Sequence, residues 1–281
     1  MRIPSFSIAI PASMISDVPG LQLRTYKIGQ VARASAIYCV NQIFIYPDKD
    51  DREQRREIEF ISQILRYEET PQYLRKRMFP LSPKLKYAGI LPPLNTPHHP
   101  TNNLISTLQD GEFREGLVLA TDMNRSLVEV GMERPLTYQG RLPKGRMTFQ
   151  VKKLGNEELR LELADPSVIP EYWGYKVVEV SQPLGQFIRK KTHDVCILTS
   201  RMGSQINSLM GELEERLQRS RNILIAFGSP KEGLRDILAR EGLDQSIADY
   251  TLNTIPRQGT MSVRTEEAIQ ATLAIMNMLI Q

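Results

Sequence analysis

The sequence predicts an α/β protein with a parallel sheet that is interrupted by a small inserted β module. Three observations carry that expectation. Uninterrupted apolar runs such as 223–227 suit strands buried on both faces of a parallel sheet. Strand-like and helix-like stretches alternate through residues 1–91 and again from 174 onward. Between about 104 and 170 the helical period disappears, and short alternating runs separated by glycine-containing turns replace it.

Taken in order, residues 3–10 alternate around Phe6, Ile8 and Ile10 and read as a first strand ending at Pro11. A helix-like unit covers 23–40 and a strand covers 42–46. Residues 51–69 form an amphipathic helix with Ile58, Ile61 and Leu65 inward and an acidic start. Pro71 ends it, and a short basic helix follows at 72–79. The Pro-, Asn- and His-rich PPLNTPHHPTNN (92–103) marks a boundary. The short strands beyond it suggest a small β-barrel or sandwich. Pro166, Pro170 and Trp173 mark its exit, and 174–180 resumes the α/β pattern. The expected domains are therefore a discontinuous α/β domain, 1–91 with 174–281, and an inserted β domain, 92–173.

The C-terminal half repeats one arrangement three times. Residues 193–217 read as an apolar strand, a small polar loop and a helix with Ile206, Leu209, Met210, Leu213 and Leu217 on one face. Residues 221–238 give a strand, then Gly228-Ser229-Pro230, then Gly233 before a helix. In 253–277 a turn-rich piece ending at Gly259 gives way to a helix over 262–280. Ile269, Leu273, Met276 and Ile280 face inward there, Ser262 serves as N-cap, and Glu266 and Glu267 suit the first turn. Ligands of parallel sheets sit beyond the strand C-termini, where these three loops would meet.

With 281 residues the chain can bury a sizeable core as one large domain or two small ones. No stretch approaches the apolar length of a membrane span, and the first residues turn polar too soon for a signal peptide. Cys39 and Cys196 match no metal-ligand spacing and read as buried thiols of a reducing compartment, the cytoplasm. His98-His99 has no further ligands at zinc-like spacing, so no metal is expected. GSPKEGL (228–234) is not a phosphate-binding loop, because its Lys precedes the second Gly and no Ser or Thr follows. The balance of 36 basic and 32 acidic residues is mildly positive. The basic residues cluster at Arg75-Lys76-Arg77, Lys84 and Lys86, Arg141, Lys144 and Arg146, and Arg189-Lys190-Lys191. Such clusters suit a phosphate backbone, although any single one is more readily a solvated face.

Four segments carry a resemblance to a known family: GQVARASAIYCVNQIFIY (29–46), YLRKRMFPLSPKLKYAGILPPLNTPHH (73–99), GSPKEGL (228–234) and PRQGTMSVRTEEAIQATLAIMN (256–277). The chain resembles the SPOUT-class RNA methyltransferases, in the group with an inserted OB-like barrel shared by archaea and eukaryotes. YLRKRMFP together with the later PRQG and RTEEA is the specific part. The resemblance implies an α/β fold with a deep trefoil knot toward the C-terminus, although true knots are rare. It also implies S-adenosylmethionine bound in the knotted loops and a homodimer with active sites near the subunit interface.

By the same resemblance the cofactor pocket comprises Thr199, Arg201 and Gly203 from the first loop, Gly228, Ser229 and Gly233 from the second, and Leu252, Asn253, Thr254, Ile255, Pro256, Gly259 and Val263 from the third. Arg33 matches the arginine in the first motif of the ribose 2′-O enzymes of that class and is the catalytic candidate, with Arg264 second. The motif's earlier asparagine is missing here; Lys27 and Gly29 stand nearby, which leaves ribose and base methylation equally open. Arg33 also has a structural reading, as a helix-surface ion-pair residue. Glu266 and Glu267 are potential bases, although carboxylates at a helix N-terminus commonly just complement the dipole. RNA contacts are expected from Arg75, Lys76, Arg77, Lys144, Arg146 and Lys152, with Phe149 as an aromatic platform. The expected function is S-adenosylmethionine-dependent RNA methylation. The alternative is a non-catalytic RNA-binding or assembly factor that keeps the fold.

Overall fold

In a computed structural model, residues 4–49, 52–154 and 158–280 are described. The chain divides into two compact units. Unit 1 comprises Met1–Glu68, Pro83–Leu94 and Tyr175–Gln281; unit 2 comprises Glu69–Ser82 and Asn95–Gly174. Residues 69–82, which the sequence reading assigned to the α/β domain, group with the β module.

Unit 1 begins with strand β1 (Ser5–Pro11), helix α1 (Gly20–Ile37), strand β2 (Val40–Tyr46) and helix α2 (Arg52–Glu69). Unit 2 contributes helix α3 (Gln72–Met78) and the strands β3 (Phe113–Thr121), β4 (Arg125–Glu129), β5 (Leu136–Gln139), β6 (Gly145–Leu154) and β7 (Glu158–Leu163). The chain returns to unit 1 through β8 (Lys176–Glu179), α4 (Leu184–Arg189), β9 (Val195–Gln205), α5 (Met210–Gln218), β10 (Asn222–Ala226), α6 (Leu234–Arg240), β11 (Tyr250–Asn253) and α7 (Thr265–Leu279).

The sheet of unit 1 has six strands in the order β11-β9-β10-β1-β2-β8, and every neighbouring pair is parallel. Side chains alternate between its faces. Ala9, Phe44, Leu198, Leu224 and Ala226 pack with Leu184, Phe187, Leu234 and Leu238 of α4 and α6 in one core. The alternate residues, Ile8, Ile10, Ile43, Ile45, Ile197 and Ile225, are fully buried on the other face. Burial on both faces is why these strands read as unbroken apolar runs. Each such isoleucine contributes roughly 1.5–3 kcal/mol.

In unit 2 the antiparallel order is β5-β4-β3-β6-β7, and the edge strands β5 and β7 approach within 8 Å between Cα atoms. Val118, Val128, Phe149, Val151 and Leu161 fill the interior. The sheet is thus a nearly closed barrel, which shields both of its edges.

Local expectations need four corrections. Cys39 is exposed, not buried: it occupies the left-handed region (φ 53°) where α1 turns into β2. Cys196 is buried, and loss of hydration pushes its thiol up to about 12. Met210 is exposed at the start of α5, while Leu213 and Leu217 hold the core. Arg264 (φ −69°, ψ 155°), not Ser262, is the N-cap of α7, and Leu279 rather than Ile280 is the last inward residue.

Candidate functional site

The three expected loops do converge at the C-terminal ends of β9, β10 and β11. The first is no separate loop. Residues 199–203 belong to β9, but Leu198 pairs with Thr251 and Ser204 with Leu252, so they bulge out between consecutive pairs. A side chain at Gly203 would meet the Thr251 carbonyl oxygen at 2.6 Å, so this bulge needs a glycine for close approach to β11.

Hydrogen bonds stitch the segments together. Thr199 Oγ1 donates to the Ala226 carbonyl at 2.9 Å. Asn253 Nδ2 donates to the Arg201 carbonyl (3.0 Å), and Arg201 Nη1 donates to the Met261 carbonyl (2.9 Å). Thr265 Oγ1 reaches back to the Gly228 carbonyl at 3.1 Å. The second loop closes on itself, because Ser229 N donates to the Glu232 carbonyl and Glu232 N to Ser229 Oγ. In the third, Ile255 N donates to Asn253 Oδ1, and the Thr254 and Thr272 hydroxyls bond at 2.8 Å in a buried position. Leu252 is fully buried beneath the cluster, whereas Val263 is half-buried. A Cβ at Gly259 would meet nothing within 4 Å, and one at Gly233 only the Asp236 carboxylate at 3.9 Å. Open space thus remains over these two glycines. Loops of fixed backbone with room above them fit a flat, polar-edged ligand read by peptide groups.

Beside these loops lies an ion cluster around a buried lysine. Lys27 of α1 is 3% exposed, and its Nζ lies 2.6 Å and 2.7 Å from the Asp17 carboxylate oxygens. Its second partner is Glu266 Oε2 in the first turn of α7, at 3.1 Å. Glu266 adjoins Thr265, the residue bonded to Gly228. Sequence reading noted Lys27 and Glu266 separately. Asp17, in the loop after β1, gave no signal, since nothing local distinguishes it from a turn aspartate.

Of the catalytic candidates, Arg33 donates Nη1 to the Pro93 and Leu94 carbonyls at 3.0 Å and 2.6 Å. Its Nε and Nη2 make no hydrogen bond among the described residues. Arg264 is exposed, and its backbone N–H is capped by Glu267 Oε2 at 2.9 Å.

The expected RNA contacts in unit 2 separate into two sets. Lys76 and Lys144 are exposed and Lys152 is half-buried. Arg75 Nε donates to the Thr70 carbonyl, and Arg77 pairs with Glu129 at 3.2 Å. Arg146 is turned inward instead. It grips both oxygens of Glu69 (2.6 Å and 2.9 Å) and Glu115 Oε2 (2.6 Å). Burial opposes its charge, but the two carboxylates more than compensate and hold the guanidinium even more firmly protonated than usual. Phe149 is fully buried and offers no stacking face. Arg146 and Phe149 are therefore corrected from RNA contacts to interior residues.

The same cluster absorbs the histidine pair. His98 and His99 both place Nε2 on the Glu69 carbonyl, at 3.0 Å and 2.7 Å, and Trp173 Nε1 donates to Glu115 Oε1 at 2.6 Å. Burial, followed by the neighbouring His98, pulls the His99 ring down to about 4. Among the described residues there is no group of three or more His, Cys, Asp or Glu that could hold a metal. None of the described helices is long and apolar enough to cross a membrane.

A cavity of about 920 Å³ opens elsewhere in unit 1, among Asp48, Gln54, Glu179, Arg240 and Glu241. None of the expected cofactor residues lines it. Its carboxylates are already engaged: Asp48 by Ser13 and Gln54, Glu179 by Ser62, and Glu241 by the Gly185 and Gln186 amides.

Comparison with known proteins gives a consistent picture. A family model described as "Putative RNA methyltransferase" matches residues 5–276. A human protein named "28S rRNA (uridine-N(3))-methyltransferase" is 31% identical over 304 aligned positions, covering 96% of this chain and 77% of that protein. An uncharacterized protein of Halobacterium salinarum is 32% identical, covering 95% of this chain and 96% of its own length. The crystal structure of the SpoU methyltransferase AviRb from Streptomyces viridochromogenes with AdoMet superposes with a TM-score of 0.39 at 10% identity. That match covers 99% of this chain and 58% of the other, too loose a likeness to assign a fold.

Proposed function

The chain belongs to the RNA methyltransferase family whose model spans residues 5–276, and from that premise we propose that it is an S-adenosylmethionine-dependent enzyme methylating N3 of a uridine in ribosomal RNA. The observation that carries the cofactor assignment is the stitched convergence of the three loops, with open space over Gly233 and Gly259. The residues present fit the cofactor. Peptide groups of 228–233 and 252–259, with Thr199, Arg201, Gly203 and Val263 around them, would hold it. When bound, S-adenosylmethionine supplies a methyl group already activated by the sulfonium.

The chain's own tasks are then to orient the base, exclude water and handle one proton. Arg33 is held at Nη1 by two carbonyls, which presents its remaining donors in a fixed direction, suited to a substrate phosphate or carbonyl oxygen. The choice of base over ribose rests on the name of the human relative; the missing asparagine of the ribose motif, near Lys27 and Gly29, leaves room for it.

Further features support the remaining assignments. The order β11-β9-β10-β1, with the last strand beyond β9, supports an α/β knot in the C-terminal segment. The near-closed five-stranded sheet supports an OB-like module, and exposed Lys76 and Lys144 with half-buried Lys152 suit RNA phosphates. Leu23, Tyr26 and Ile37 form an exposed stripe on α1 in register with Arg33, and Met278 is exposed on α7. Such apolar exposure supports a homodimer built on these helices. Free Cys39 and Cys196 suit a cytoplasmic setting.

The test has two parts: calorimetry with S-adenosylmethionine, then incubation with ribosomal RNA and mass spectrometry of the digested nucleosides. Micromolar binding and appearance of 3-methyluridine are expected. No binding by the folded protein would instead identify a non-catalytic RNA-binding factor.

A further inference from the structure

A smaller concavity of unit 1, about 380 Å³, lies between the amino-terminal halves of α1 and α2. Both helices follow strands of the parallel sheet, so it opens at the carboxyl end of that sheet, where the cofactor loops also converge. Its floor is apolar, built on buried Ile15 and Phe60. Its walls are cationic. Arg24 comes from α1, Arg56 from α2 and Lys84 from the segment after α3, and among the described residues Glu57 is the one acid that lines it. Arg24 is half-buried, and its Nε donates to the Val18 carbonyl at 3.2 Å. That bond holds the guanidinium while Nη1 and Nη2 make no hydrogen bond among the described residues. The Arg56 side chain is exposed and enters no hydrogen bond or ion pair among them. Lys84 Nζ lies 3.4 Å from Glu59 Oε2, with the two side chains 40% and 48% exposed; a pair of that kind is worth at most about 1 kcal/mol and yields readily to a better anion. Gly20, the first residue of α1, is also on the wall, and a Cβ there would meet nothing within 4 Å, so the space is unobstructed.

We propose that this pocket seats a backbone phosphate of the substrate RNA. The inference rests on the RNA-substrate reading above, and adds a contact on the unit that carries the cofactor loops to those expected on unit 2. Basic residues spread along one helix face need no partner beyond water. Three cations gathered from separate segments around one concavity repel each other, and an anion seated among them relieves that repulsion. Arg24, held at Nε, offers two phosphate oxygens a planar pair of donors, and Arg56 and Lys84 supply charge from the other walls. A phosphate carries no base identity, so the pocket sets the register of the strand and leaves sequence to other contacts. The same donors would accept a free phosphate monoester; membership of an RNA methyltransferase family favours the polymer.

The test follows binding of a single-stranded ribosomal RNA fragment by fluorescence anisotropy across salt concentrations. It compares wild type with Arg24→Gln, Arg56→Gln and Arg55→Gln, with melting temperature and calorimetric S-adenosylmethionine affinity measured alongside. Arg55 neighbours Arg56 on α2 but lines the larger cavity instead, so it controls for lost charge alone. One phosphate contact to a single strand contributes about 0.7 to the salt slope, a factor of about 4 in affinity at about 0.15 M salt. Arg24→Gln and Arg56→Gln should each lose that much on RNAs of different sequence, with melting and cofactor affinity unchanged, and Arg55→Gln less than half of it. Should Arg24→Gln melt lower, Arg56→Gln decides alone, since its side chain has no recorded partner to lose. Unchanged RNA binding in the pocket variants, or equal losses in Arg55→Gln and Arg56→Gln, would overturn the proposal. So would displacement of the RNA by uridine monophosphate at constant ionic strength from wild type but not from Arg56→Gln, which would assign the pocket to a free nucleotide. Wild type that binds no RNA would sink the RNA reading itself, and this inference with it.

Discussion

Replacing Arg146 with Met should unlock unit 2. The substitution keeps the apolar stem but removes a guanidinium gripping Glu69 and Glu115, whose side chains are 13% and 6% exposed. Glu115 would retain Thr148 and Trp173 as donors, while Glu69 would retain, among the described residues, only His98 at 3.3 Å. Breaking a buried pair from one side costs about 3–5 kcal/mol, most of it the charge left behind. With urea m-values of about 1–3 kcal/mol per molar, the midpoint should fall by roughly 1 M or more.

Trp173 is the chain's single tryptophan and sits against this network, so its fluorescence reports the transition. The loss should also shrink in acid. Burial works against the Glu69 charge, but His98 and Arg146 outweigh it and hold the carboxyl below its ordinary value. A depressed carboxyl stabilises the fold above its unfolded pKa, and that contribution fades as pH falls through the folded one. Without Arg146, Glu69 can escape its penalty by taking up a proton. A pH-independent midpoint shift, or one below about 0.3 M at pH 7, would refute the reasoning by showing both carboxylates to be adequately solvated.

Three further outcomes are expected. His99 stays neutral in the fold to about 4, whereas the unfolded ring titrates near 6.5, so acid favours the unfolded chain. Stability should fall by about 2–4 kcal/mol between those values, and urea titrations of His99→Gln should show a flatter pH dependence. Gly203→Val would drive a side chain into the Thr251 backbone; S-adenosylmethionine affinity measured by calorimetry should drop at least tenfold. Replacing Lys76, Lys144 and Lys152 together by Ala should weaken RNA binding and lower the salt slope by about 2–3, measured by fluorescence anisotropy across salt concentrations.

The parts of the molecule governed by periodicity were legible from sequence. The inward row of Ile61 and Leu65 in α2 and the double-sided strands of the sheet each repeat a signal several times. Single residues whose neighbours come from afar were not. Arg146 alternates with Met147 and Phe149 in β6 and so reads as a solvent-facing cation, yet Glu69 lies 77 positions away and covers it. Cys39 sits in an apolar context, but one positive φ between α1 and β2 turns it outward. The Lys27 cluster draws on three separate segments of the chain, so no local motif records it.

The strand order has a consequence for how the chain comes into being on the ribosome. β1 is made before the other described elements, yet one of its two sheet neighbours is β10, encoded at Asn222–Ala226. At about 5–20 residues per second, the pairing edge of β1 waits roughly 10–40 s for its partner. β2 likewise awaits β8, at Lys176–Glu179. During that interval the nascent N-terminal half carries two unsatisfied strand edges and an isoleucine-rich surface. Vectorial synthesis therefore leaves completion of this sheet to the later strands β8 to β11.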